Sequence, residues 1–262
     1  MVCVRRKASD MIVVCEYDGS ADSCLLQEYS RQLPLPGDDC PVKGVRWKKR
    51  RERILAWMLL AWAVEYEFGK RMADGGHVPP DQPELRRGGQ TEYSAVLSRL
   101  DICRTEHGKP YSASHPEIQF NISHCDTACA CIVGDAEAGI DVERFFAYRE
   151  NLAGKVCHHQ EAELIASMTQ EERENQLRYL WSLKESFVKL DGRGLGYGMD
   201  RINLAPLLSS VQKEQWRRQR LDGLVYLTGR TSSCTLAACS RDERVLGQPL
   251  IFSEKELMER YL

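Results

Sequence analysis

The sequence has little net charge, no paired cysteines and no long hydrophobic run. The net charge of -2 excludes wholesale nucleic-acid binding, so any basic surface must be local. The 11 cysteines form no CxxC pair and no zinc-like spacing. Reduced thiols in a cytosolic protein fit them better, with Cys129 and Cys131 read as small core residues. No uncharged apolar run extends beyond residues 54–64, well short of the roughly 20 residues of a membrane span. The apolar stretch after Arg5, Arg6 and Lys7 is too short for a signal peptide. Gly192, Gly194, Gly196 and Gly198 follow a helical segment and miss the dinucleotide fingerprint, because Tyr197 stands where its third glycine would be. A cytoplasmic monomer with neither nucleic-acid nor membrane partners is expected.

What is present is an ordinary globular composition: 262 residues, 43% hydrophobic and 28% charged, enough for one large domain or two small ones. Residues 46–70 predict a long helix with a basic first turn and an apolar body. Residues 73–94, rich in glycine, proline and charge, predict a loop or insertion. Strands are predicted at 119–122, 128–133 and 138–142, the middle one apolar on both faces and so central in a sheet. Helices follow at 160–168 and 171–190, then a glycine-rich loop at 191–199. Shorter strands are predicted at 102–105, 202–204, 224–227 and 235–238. The mixture places the chain in an α+β or α/β class.

Four segments carry candidate chemistry. In Gly139-Ile140-Asp141-Val142-Glu143, alternation puts Asp141 and Glu143 side by side on one strand face. Adjacent carboxylates repel unless a cation lies between them, and hard oxygens suit magnesium; two solvated acids at a strand end are the plain alternative. In Trp181-Ser182-Leu183-Lys184-Glu185-Ser186-Phe187-Val188-Lys189, Lys184 falls near the middle of an apolar arc. Glu185 and Lys189 lie one turn apart on the edge of that arc; a snorkelling lysine and a surface ion pair would look the same. Phe120-Asn121-Ile122-Ser123-His124 ends a strand with a hydroxyl and an imidazole suited to a phosphate. A Ser–His relay is disfavoured there, since neighbours on a strand face opposite ways and no G-x-S-x-G elbow surrounds Ser123. The cluster Lys43, Arg46, Lys48, Lys49, Arg50, Arg51 and Arg53 fits a solvated helix start, a localisation or nucleic-acid segment, or an anion site.

In that order, and with Gly108-Lys109-Pro110 ahead of them, these segments resemble the Sfp-type 4'-phosphopantetheinyl transferases from about residue 46 to about residue 204. The resemblance implies an α+β fold of two similar α/β-type lobes in a pseudo-twofold pair, with the coenzyme A site in the cleft between them. The lobes would be residues 1–136 and 137–244, with the segment 245–262 returning to the first. It implies Asp141, Glu143 and Glu185 as magnesium ligands, and Lys109, Ser123, His124, Lys184 and Lys189 near the phosphates and pantetheine of coenzyme A. Lys48 and Arg51 would meet the 3'-phosphate, and Glu161 matches a family glutamate. Glu185, Lys184 and His124 form the expected catalytic set, with Glu185 or a metal-bound water taking the proton of the attacking serine. The implied reaction is transfer of phosphopantetheine to a serine of an acyl or peptidyl carrier protein. The rival readings are a magnesium-dependent phosphodiesterase or nuclease, and a carrier- or nucleotide-binding module without catalysis.

Overall fold

The structure is a computed structural model that describes residues 11–19, 26, 47–74, 92–194, 198–208, 215–242, 244 and 246–260. In chain order the elements are β1 (Met11–Glu16), α1 (Trp47–Asp74), α2 (Glu92–Leu100), β2 (Ile102–Arg104), β3 (Pro110–Ser112), β4 (Gln119–His124), β5 (Ala128–Gly134) and β6 (Ala138–Arg144). They continue with α3 (Glu150–Val156), α4 (His159–Ala166), α5 (Gln170–Asp191), β7 (Trp216–Leu221), β8 (Leu224–Arg230), β9 (Cys234–Ser240), β10 (Leu250–Ser253) and α6 (Glu254–Glu259). The mixture of helix and sheet is α+β. No helix among the described residues is long and apolar enough to cross a membrane.

One four-stranded sheet runs β10-β1-β5-β4 and a second runs β6-β9-β8-β7. β10 lies parallel to β1, and every other pairing in the two sheets is antiparallel. The two share a connectivity. β1 leads through α1 to the β4–β5 hairpin, whose second strand returns beside β1. β6 leads through α5 to the β8–β9 hairpin, whose second strand returns beside β6. α1 covers one face of the first sheet, and its segment 54–64 is buried all round, as a helix apolar on every side must be. α5 covers one face of the second. A third apolar cluster fills the space between the sheets, built from Ile12, Val14 and Ile132 of one and Ile140, Val142, Val225 and Leu236 of the other.

β5 is buried at every position and sits between β1 and β4. The strand predicted at 202–204 does not form. The segment lies between two 3₁₀ turns, with Ile202 N donating to Met199 O and Leu204 N to Glu161 Oε1. Residues 92–94 belong to α2 rather than to a loop, while 75–91 lie outside the described residues.

Candidate functional site

The site forms where the edges of the two sheets meet. β4 and β6 share no ladder; the side chains of β4 take its place. Asn121 Oδ1 accepts from Ile140 N at 3.0 Å, and Ser123 Oγ accepts from Val142 N at 3.3 Å. With Ile140 and Val142 turned into the core between the sheets, Asp141 and Glu143 emerge on the face covered by α5. The helix comes unusually close because β6 carries Gly139: a Cβ there would lie 1.9 Å from Ser186 O and 2.6 Å from Leu190 N. Two capping features fix α5 in register. Thr169 and Glu172 form a capping box at its start, and Gly192, at φ +79, closes its end in the left-handed region.

This approach brings Lys189 onto Asp141. Lys189 Nζ donates to Asp141 Oδ1 at 2.7 Å and to Ser123 Oγ at 2.8 Å, and Ser123 Oγ donates to Asp141 Oδ1 at 3.0 Å. The serine hydroxyl is thus saturated, one donor and two acceptor positions used. Asp141 Oδ2, by contrast, is buried without a hydrogen-bond partner. Glu143 and Glu185 complete an acidic group. Burial and then the Asp141 carboxylate hold Glu143 above its ordinary range. Burial, the Asp141 charge and, more weakly, Glu143 push Glu185 up to about 7 against the pull of Lys189. Such mutual elevation marks carboxylates short of positive charge.

His124 stands at the end of β4 on the side facing α1, its Nδ1 3.5 Å from Glu52 Oε2. Burial, then Lys189, Arg53 and Lys49, hold its pKa below the ordinary value. Lys109 follows Gly108, whose φ of +84 makes the β2–β3 turn, and reaches the end of α5, where its Nζ donates to Leu190 O at 3.1 Å.

Two expected site residues are elsewhere. Lys184 is fully buried, and its three ammonium protons go to Val156 O at 2.7 Å, Glu161 Oε2 at 2.5 Å and Met199 O at 2.9 Å. Its place in the apolar arc reflects a structural clip that ties α5 to the α3–α4 junction, leaving no donor for a phosphate. Glu161 completes the clip by accepting from His158 N at 2.7 Å and Leu204 N at 2.6 Å. Arg51 is paired with the buried Glu254 at the start of α6, and its guanidinium lies 5.3 Å from the Tyr17 ring centre. It therefore anchors the C-terminal segment rather than facing the site. The cations of α1 that act on His124 are Lys49 and Arg53, four residues apart on one helix face. The side chain of Lys48 lies outside the described residues. Sequence reasoning also missed Asn121, Gly139 and Glu52. For Glu52 a signal existed, a single acid inside the basic run at the start of an apolar helix.

The acidic group has the chemistry of a site for a hard dication. All its donors are oxygens, and one of them, Asp141 Oδ2, is buried with nothing bonded to it. As the side chains stand, no group of three or more His, Cys, Asp or Glu among the described residues is arranged to hold a metal ion. Lys189 instead supplies positive charge to Asp141.

Comparison with known proteins agrees with this geometry. The 4'-phosphopantetheinyl transferase superfamily matches residues 137–239, β6 through β9. The human L-aminoadipate-semialdehyde dehydrogenase-phosphopantetheinyl transferase is 33% identical over 211 residues, 70% of this chain and 68% of that protein. A 4'-phosphopantetheinyl transferase of Bacillus subtilis is 31% identical over 120 residues, 46% of this chain and 54% of that protein. The 4'-phosphopantetheinyl transferase Sfp of Bacillus subtilis strain 168 is 28% identical over 113 residues, 43% of this chain and 50% of that protein. The chain spans about half the length of these bacterial relatives. It belongs to the Sfp-type 4'-phosphopantetheinyl transferases.

Proposed function

We propose that this chain transfers the 4'-phosphopantetheine arm of coenzyme A to a serine of an acyl or peptidyl carrier protein and releases 3',5'-ADP. The observation that carries this reading is the convergence of Ser123, Asp141 and Lys189 at the β4–β6 seam beside the elevated Glu185. In this account the two sheets with their helices are two lobes of a pseudo-twofold pair, residues 1–136 with 245–262 and residues 137–244. Their common connectivity supports this division. Coenzyme A lies in the cleft where β4 meets β6.

Asp141, Glu143 and Glu185 would hold magnesium. Bound there, the ion would offset the charge that builds on the pyrophosphate. Lys189, Lys109 and His124 line the phosphate side as binding groups. Lys49 and Arg53 take the 3'-phosphate role expected of Lys48 and Arg51. The serine oxygen attacks the β-phosphorus, the bond from that phosphorus to the bridging oxygen breaks, and the electron pair leaves with 3',5'-ADP. Glu185, beside Asp141 at the seam, accepts the serine proton. Lys184 and Glu161 hold α5 in place and touch no reacting atom.

The test is chromatographic. Release of 3',5'-ADP should require coenzyme A, magnesium and a carrier with its serine intact, and should stop with a Ser→Ala carrier. Release without any carrier would instead identify a phosphodiesterase.

A further inference from the structure

His124 is faced by charged groups from two helices: Glu52, Lys49 and Arg53 of α1, and Lys189 of α5. Three are cations. Glu52 is the exception, and nothing in the transfer reading uses it. Its carboxylate is only 7% exposed, whereas the His124 side chain is 38% exposed. Nδ1 of His124 lies 3.5 Å from Glu52 Oε2. The ring therefore turns its Nδ1 edge toward α1, while the side chain as a whole stays partly exposed.

Burial and the three cations favour the neutral ring, which carries its one proton on either nitrogen. A proton on Nε2 would set the Nδ1 lone pair against the Glu52 carboxylate, while a proton on Nδ1 meets it. We propose that Glu52 is a positioning residue that holds His124 in the Nδ1–H tautomer and so presents Nε2 to the ligand. The contact is longer than a closed hydrogen bond, as is common before a ligand arrives. A bound polyphosphate would offset the field of Lys49, Arg53 and Lys189, and the ring would then take a second proton on Nε2, held between carboxylate and phosphate. The functional consequence rests on the transfer reading; the tautomer does not.

The experiment is nitrogen NMR of the histidine ring in protein labelled with 15N, on wild type, Glu52→Gln and Glu52→Leu, with His124→Gln assigning the signals. The ring should carry its proton on Nδ1 in wild type and in Glu52→Gln, whose amide oxygen still accepts. It should lose that preference in Glu52→Leu, and the wild-type ring should become doubly protonated when coenzyme A is added. An Nε2–H ring in wild type, or an unchanged tautomer in Glu52→Leu, overturns the proposal. If Glu52→Leu does not fold, wild type and Glu52→Gln still decide. In steady-state transfer, Glu52→Leu should raise KM for coenzyme A about tenfold with kcat little changed, and should add nothing in a His124→Gln background. An Nδ1–H ring in a protein that modifies no carrier would sink the transfer reading and leave the positioning intact.

Discussion

Replacing Gly139 with alanine should damage stability and activity together. The added Cβ would stand 1.9 Å from Ser186 O and 2.6 Å from Leu190 N, both backbone atoms of α5. No side-chain rotation relieves this. To move the carbonyl from 1.9 Å to ordinary contact at about 3.4 Å, the helix must retreat by about 1.5 Å. Overpacking of this kind costs about 1–3 kcal/mol, or a fall in Tm of about 2–4 °C per kcal/mol in a protein of this size. The same retreat carries Glu185 and Lys189 away from Asp141, and a misplacement of about 1 Å at a reacting centre can cost about 10²-fold in rate. The assay pairs thermal unfolding with single-turnover transfer at saturating coenzyme A. The control is Gly154→Ala in α3, where the new Cβ meets nothing within 4 Å; it should leave the rate alone and raise stability by about 0.5–1 kcal/mol. A Gly139→Ala protein with wild-type Tm and rate would refute the claim that close helix–strand packing builds the site.

Asp141→Asn should remove transfer and the magnesium dependence of coenzyme binding, measured by calorimetry with and without the ion; unchanged turnover would reject the acidic group as the metal site. Lys184→Met should cost about 3–5 kcal/mol in urea unfolding by leaving Glu161 buried and unpaired. Adding Glu161→Gln should then cost less than the sum of the single changes, and strict additivity would argue against the pair. Removing the charges of Lys49 and Arg53 should raise KM for coenzyme A more than for dephospho-coenzyme A. Arg51→Ala should instead lower stability by removing a cation paired with the buried Glu254, and equal effects on the two substrates would reject the 3'-phosphate assignment. Without metal, Glu185 titrates near 7 in the folded protein and near 4.5 unfolded, so the folded state binds the extra proton and stability falls as pH rises between those values. Glu185→Gln should therefore match wild type at pH 4.5 and exceed it at pH 8 in chelator, and a pH-independent difference would contradict the elevated carboxylate.

Periodicity made the frame of the site legible. The alternation in Gly139-Ile140-Asp141-Val142-Glu143 places the acids opposite two core residues whatever the rest of the chain does, and β5, apolar throughout, could only be central. β1 has the same apolar character but stands alone at the start of the chain, where its partner strands β5 and β10 are more than a hundred residues away. Lys184 shows where pattern stops. Its place in the apolar arc is visible, but whether its charge meets a phosphate or a buried carboxylate depends on Glu161, which only tertiary folding brings within reach. The cations of α1 are a second case. Lys49, Arg51 and Arg53 are near neighbours in sequence, and only the packing of α6 and β4 decides that Arg51 turns to Glu254 while Lys49 and Arg53 act on His124. Asn121 and Ser123 read as the end of a strand; that they replace a ladder between two sheet edges is invisible without β6 beside them.

The most direct test of the transfer reading is intact-mass spectrometry of acyl and peptidyl carrier proteins incubated with this protein, coenzyme A and magnesium. The account predicts that at least one carrier gains the mass of a single phosphopantetheine on its serine, and that the gain is lost in Asp141→Asn. Carriers that stay unmodified across the panel, while a known phosphopantetheinyl transferase modifies them under the same conditions, would contradict it.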